Sequence, residues 1–94
     1  MDDIKKLREE IDSVDTKLVQ LFERRMEIVL KIAEYKKLNN MKVFDRSRED
    51  EVIKKGIGLL KNEAFKEPTK DFLIDMMKIS KDIQHGAYPK KDAK

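Results

Sequence analysis

An all-α chain of three helices, one long and two shorter, is predicted by two features of this sequence. An apolar repeat runs without interruption through its first third. Residues 1–55 contain no proline and no glycine, while two later apolar-periodic segments carry helix start and stop signals. Written as heptads with Ile4 at position a, the a positions are Ile4, Ile11, Leu18, Arg25 and Ile32. The d positions are Leu7, Val14, Leu21, Ile28 and Tyr35. Nine of these ten are apolar, which predicts a helix from Asp3 to Leu38 with one continuous stripe. At 1.5 Å per residue such a helix is a rod of roughly 50 Å. A compact monomer of about 100 residues has a radius of gyration near 13 Å. Two shorter helices are too little to cover the stripe, so an intertwined homodimer with the long helices packed together is expected.

The "NNMKVFD" stretch reads as a short connection. A second helix is expected from "DRSRED", with Asp45 or Ser47 as its N-cap, Ser47 and Asp50 having capping-box spacing. It carries Val52, Ile53, Ile57, Leu59 and Leu60 and is expected to end near Asn62. Gly56 and Gly58 weaken it and permit close packing. "KEPTKDF" opens a third helix with Pro68 in its first turn, where the missing N–H costs nothing. Its stripe is Phe72, Met76, Ile79 and Ile83, and Gly86 and Pro89 end it. Residues 1–87 are thus expected to form one helical domain, with a basic, disordered tail over 88–94.

Charged residues make up 44% of the 94 and apolar ones 39%, a water-soluble balance with room for a modest core. There are no cysteines and one histidine, which excludes disulfides and thiolate chemistry and argues against a metal centre. "MDDIKKLREE" lacks the apolar stretch of a signal peptide, and no run reaches the length of a membrane helix. A cytoplasmic location, with no membrane partner, is the expectation. The net charge of +3 is mild, and acidic and basic residues interleave. No basic block with interspersed aromatics marks a nucleic-acid surface.

The polar groups that interrupt apolar faces are more informative. Arg25 occupies an a position, and its neighbours one turn away are Leu21, Phe22, Ile28 and Val29. None of these can pair with a guanidinium, and an unpaired buried charge costs several kcal/mol. Its partner must lie off the helix: an acid on another helix, open solvent reached by snorkelling, or an anionic ligand. Lys36 lies eleven residues on, three turns plus about 20°, on nearly the same face and about 16 Å along. It too lacks an acid within the helix. Arg8 has Asp12 at i+4 and is about 25 Å from Arg25, so only the Arg8 of an antiparallel partner could join Arg25 at one small molecule. Ser80 and Gln84 stand at i and i+4 on the third helix, a spacing that on pattern alone suits an ordinary surface pair. Arg48 has Asp45 and Glu51 nearby, and Glu49 suits the second helix's N-terminal dipole. His85 falls near a helix end. Cations, one carboxylate and neutral donors, without a nucleophile or a paired acid and base, suit a site that works by binding and electrostatic preorganisation.

These residues occur in fragments that resemble the all-helical chorismate mutases of bacteria and archaea. "LREEIDSVDTKLVQLFERR" is similar to that family's opening helix and "EYK" to the segment with its active-site lysine. "VFDRSREDEV" is similar to its D-x-x-R-E stretch, and "ISKDIQ" to its Ser-x-x-x-Gln pair. The four fragments lie in the family's order from Leu7 to Gln84, and their combination is specific. The connecting segment "IGLLKNEAFKEP" departs from the family pattern.

The resemblance implies an intertwined helical dimer that converts chorismate to prephenate without a cofactor, at the branch toward phenylalanine and tyrosine. It implies Arg25 as a ligand of a substrate carboxylate and Arg8 as the arginine lent by the partner subunit. Lys36 would contact a carboxylate and the ether oxygen, and Gln84 would be the second donor to that oxygen. Glu49 would accept from the substrate hydroxyl with Asp45 nearby, and Arg48 and Ser80 would line the site. No fused domain is visible, so a stand-alone mutase is expected. Three alternatives remain: an isochorismate-pyruvate lyase on the same scaffold, against which Glu49 speaks, a non-catalytic helical dimer module, and a simple coiled-coil interaction protein.

Overall fold

The computed structural model describes residues 3–88, and all structural statements below refer to these. Within the described residues the order is α1 (Asp3–Leu38), α2 (Arg46–Gly58), a 3-10 turn (Glu63–Phe65) and α3 (Lys66–Gln84), without a strand. The all-α, three-helix expectation holds; α1 is helical from the first described residue to its predicted end at Leu38. The expected tail over 88–94 lies, beyond Tyr88, outside the described residues.

Each helix end has a local cause. At the end of α1 the Met41 N–H donates to the Lys36 carbonyl (2.8 Å) and the Asn40 N–H to that of Lys37 (3.4 Å). Asn40 takes φ +54°, so the pair forms a Schellman motif with asparagine at the left-handed position. This motif reverses the chain and brings "MKVFD" back alongside the last turn of α1. Asp45, not Ser47, caps α2: its carboxylate accepts from the Arg48 N–H. The helix ends four residues before Asn62. Leu59 and Leu60 donate three residues back, to Gly56 and Ile57, which tightens the helix end. Asn62 instead caps the 3-10 turn by accepting from the Ala64 N–H at 2.9 Å. α3 ends in a second Schellman motif, with Gly86 at φ +74°, Ala87 donating to Asp82 and Gly86 to Ile83.

α3 is the central element, packing against both α1 and α2, which do not pack on each other. The α2–α3 contact closes at Gly56, where a Cβ would stand 2.5 Å from Leu73 Cδ1. The only buried hydrophobic side chains are Met26 and Val29 of α1 and Met77 of α3. The face of α1 that meets α3 is therefore the row through Met26 and Val29. The heptad stripe lies beside that row and is open: Ile11, Val14 and Leu21 are 60%, 61% and 67% exposed. The radius of gyration is 16.7 Å and the extents are 58 × 40 × 16 Å, against the 13 Å or so of a compact chain. Among the described residues no helix is long and apolar enough to cross a membrane.

Candidate functional site

Two hollows flank Arg25. One, of about 370 Å³, is apolar and is lined by Leu18, Val19, Leu21, Phe22, Phe72 and Met76 besides Arg25. It continues the open stripe of α1. The other, of about 260 Å³, holds the polar groups. α1 contributes Arg25, Val29, Ile32 and Lys36, and the connection contributes Val43 and Asp45. α2 contributes Arg48, Glu49 and Val52, and α3 contributes Met77, Ser80, Lys81 and Gln84. Four cations face two carboxylates, a formal excess of two positive charges.

Arg25 is half-buried at the wall shared by both hollows. Its Nη1 donates to Ser80 Oγ at 2.7 Å, and that hydroxyl donates in turn to the Met76 carbonyl at 2.9 Å. Ser80 is only 5% exposed, so the surface-pair reading of Ser80 and Gln84 is wrong for Ser80. A neutral hydroxyl orients the guanidinium but leaves its charge uncompensated. No carboxylate among the described residues forms an ion pair with Arg25. Burial, and second the charge of Arg48 across the cleft, hold its pKa below the ordinary arginine value. An acid on another helix, one of the sequence-level readings, is therefore not what satisfies it within one chain.

Lys36 extends from the last turns of α1 to the Val43 carbonyl, 2.8 Å away. The Schellman reversal makes this contact by returning the connection to the helix end. One of the three ammonium protons is used there, and no acid pairs with the rest. Arg48 is tied to Glu51 at 2.6 Å, one of the two acids its sequence neighbourhood offered. Asp45 spends one carboxylate oxygen on the Arg48 N–H at 3.0 Å, so its first task is to start α2. Glu49, in that first turn, pairs with Lys81 of α3 at 2.9 Å. Gln84 Oε1 is the one buried side-chain N or O atom among the described residues without a hydrogen-bond partner. Such an atom in a polar cleft marks a place where a ligand or water completes the bonding.

The cleft thus presents a surplus of positive charge, a carboxylate held by a lysine and an unsatisfied amide. A family model described as chorismate mutase type II matches residues 7–85. The chain belongs to the chorismate mutase type II family. It is accordingly an enzyme of the chorismate mutase class, an isomerase. Comparison with curated proteins, and separately with solved structures, gives no significant match.

The match spans all three helices and every residue that the chorismate mutase resemblance nominated. Seven of the eight line one cleft: Arg25, Lys36, Asp45, Arg48, Glu49, Ser80 and Gln84. Arg8 does not. It lies in the exposed first half of α1, and the pairing with Asp12 that the i+4 spacing allows is not formed. Two participants went unnoticed in the sequence. The Val43 carbonyl is invisible there because any residue offers one. Lys81 is one of many lysines in the chain, though its place beside Ser80 in "ISKDIQ" was a usable signal.

Proposed function

We propose that this chain acts as a chorismate mutase with the eight nominated residues in the roles their chemistry suits. The observation that carries the reading is Arg25: a half-buried guanidinium, oriented by a serine, facing further cations and lacking a carboxylate partner. Chorismate carries two carboxylates, and the cleft holds two cations, Arg25 and Lys36, with which no carboxylate among the described residues pairs. Arg25 holds one carboxylate and Lys36 reaches the other and the ether oxygen. Arg48 and Ser80 shape the wall, Asp45 caps the helix that presents Glu49, and Glu49 accepts from the substrate hydroxyl.

The reaction is intramolecular. The carbon–oxygen bond of the enolpyruvyl ether breaks as a carbon–carbon bond forms, with no proton transferred and no cofactor consumed. Gripping both carboxylates holds the compact, reactive conformer. Negative charge grows on the ether oxygen, and donors from Lys36 and from the Gln84 amide stabilise it more in the transition state than in the substrate. A half-turn of that amide exchanges its oxygen and nitrogen, so the unsatisfied end can present Nε2. The product, prephenate, leads toward phenylalanine and tyrosine.

The working unit in this proposal is an intertwined homodimer. A stripe of isoleucine, leucine and valine along about 50 Å of α1 is left open by its own chain and needs a cover. In an antiparallel pair, Arg8 of the partner subunit reaches the Arg25 end of the cleft and closes it.

The test is direct. The purified protein is mixed with chorismate, the fall in its ultraviolet absorbance is followed and the product is identified. Prephenate is the expected product, and Arg25→Ala should lower kcat/KM by about 10²–10³, the cost typical of losing one charge-stabilising donor, while circular dichroism stays helical. Full activity in Arg25→Ala would remove Arg25 from the site. No turnover of chorismate would overturn the mutase reading, and pyruvate released from isochorismate would replace it with the lyase.

A further inference from the structure

Five ion pairs occur among the described residues. Four join residues three or four apart on one helix. The fifth, between Lys81 Nζ and Glu49 Oε2 at 2.9 Å, joins α3 to the first turn of α2. It is also the most sheltered, with side chains 30% and 23% exposed. The same ammonium stands 4.7 Å from the centre of the Phe44 ring, within cation–π range. Phe44 directly precedes the Asp45 cap. Lys81 therefore grips the start of α2 at two points, the residue before its cap and the carboxylate of its first turn.

That grip bears on Glu49. A glutamate side chain has three rotatable bonds, and ordering it at the moment of binding costs entropy. With Oε2 engaged by Lys81, the carboxylate is already fixed at the cleft wall, and Oε1 remains available as an acceptor. We propose that Lys81 is a positioning residue for the isomerase: it acts through Glu49, holding that carboxylate ready for the hydroxyl of the bound substrate. This rests on the mutase reading given above. The hydroxyl-bearing carbon takes no part in bond making or breaking, so the Glu49 contact is worth the same in substrate and transition state. Interactions of that kind appear in KM and leave kcat nearly unchanged.

The test compares steady-state constants for chorismate in the full-length protein and in Lys81→Met, Lys81→Arg, Glu49→Gln and the double variant. Methionine keeps most of the apolar stem and removes the ammonium. Lys81→Met should raise KM about tenfold, a coupling usual for directly paired side chains, and change kcat by less than about twofold. Lys81→Arg, which can still span to Glu49, should bring KM back to within about threefold. In the Glu49→Gln background, Lys81→Met should add less than about twofold, because the group it acts through is already disabled. An equal loss in both backgrounds would overturn the proposal by making Lys81 an independent charge on the substrate. Wild-type constants in Lys81→Met, or no rescue by arginine, would overturn it as well. If Lys81→Met does not fold, Lys81→Gln enters the same cycle. A wild-type protein that converts chorismate while the cycle is additive loses only this inference. A wild-type protein inert to chorismate loses the mutase reading and this one with it.

Discussion

In the proposed reading, Arg25 trades stability for binding. Its lowered pKa belongs to a cation, so the folded state binds that proton less tightly than the unfolded chain does. The sign is therefore a cost to folding, present at every pH where the guanidinium is charged. It is relieved only as pH rises through the depressed folded value toward the ordinary arginine range. No step in stability between pH 5 and 9 should come from Arg25. Removing the charge while filling the space should do what pH cannot. Arg25→Met is expected to keep or raise the thermal midpoint while activity falls by about 10²–10³. Scanning calorimetry beside the chorismate assay checks both, and a midpoint several degrees lower would show that Arg25 mainly supports the fold. The anomaly was legible in the sequence as an arginine among leucine, phenylalanine, isoleucine and valine. Its neutral partner Ser80, 55 residues away, was not.

At the scale of elements, the start of α2 and the seat of α3 set the cleft. Asp45 and the Schellman turn at Asn40 decide where α2 begins, and Gly56 decides how closely it lies on α3. A large side chain at Gly56 has to push Leu73 aside. Gly56→Leu should destabilise by about 1–3 kcal/mol, the usual cost of overpacking, and should loosen the Glu49–Lys81 pair that spans the same two helices. Gly58 has nothing within 4 Å of a would-be Cβ, so Gly58→Ala should stabilise by about 0.4–1 kcal/mol through the unfolded chain. Urea unfolding curves with equal slopes check the pair, and equal effects at both sites would refute the close contact. The course of helix α1 and its end at Leu38 were readable because one apolar period governs it up to the two asparagines. The end of α2 was misjudged by four residues because Leu59 and Leu60 continue the apolar pattern. Asn62 prefers to cap the turn that follows.

At the scale of the whole molecule, the proposed second copy accounts for both the open stripe of α1 and the distance of Arg8 from the cleft. If each site takes Arg25 from one subunit and Arg8 from the other, Arg8→Ala and Arg25→Ala proteins are each inactive alone. Refolded together, they form heterodimers in which one of the two sites has both arginines intact. Random pairing makes about half the dimers mixed, so activity should return to about a quarter of the wild-type value. Sedimentation should find a dimer throughout. No recovery on mixing would confine each site to one chain, and a monomer in sedimentation would leave the stripe to another partner.

By itself the sequence determined that the chain is three helices, that α1 carries an apolar stripe too long for its own chain to cover, and that Arg25 and Lys36 share a face. Those properties follow from local periodicity and helix-end chemistry, which act between residues a few positions apart. Tertiary structure alone decided that Met26 and Val29 are the α1 residues buried against α3 while the apolar heptad residues stay open. It also decided that Arg25 is answered by a hydroxyl and that Lys81 holds Glu49. Each of these depends on how far one helix is rotated against another. That rotation is set by packing between residues distant in the chain, which no short stretch of sequence encodes.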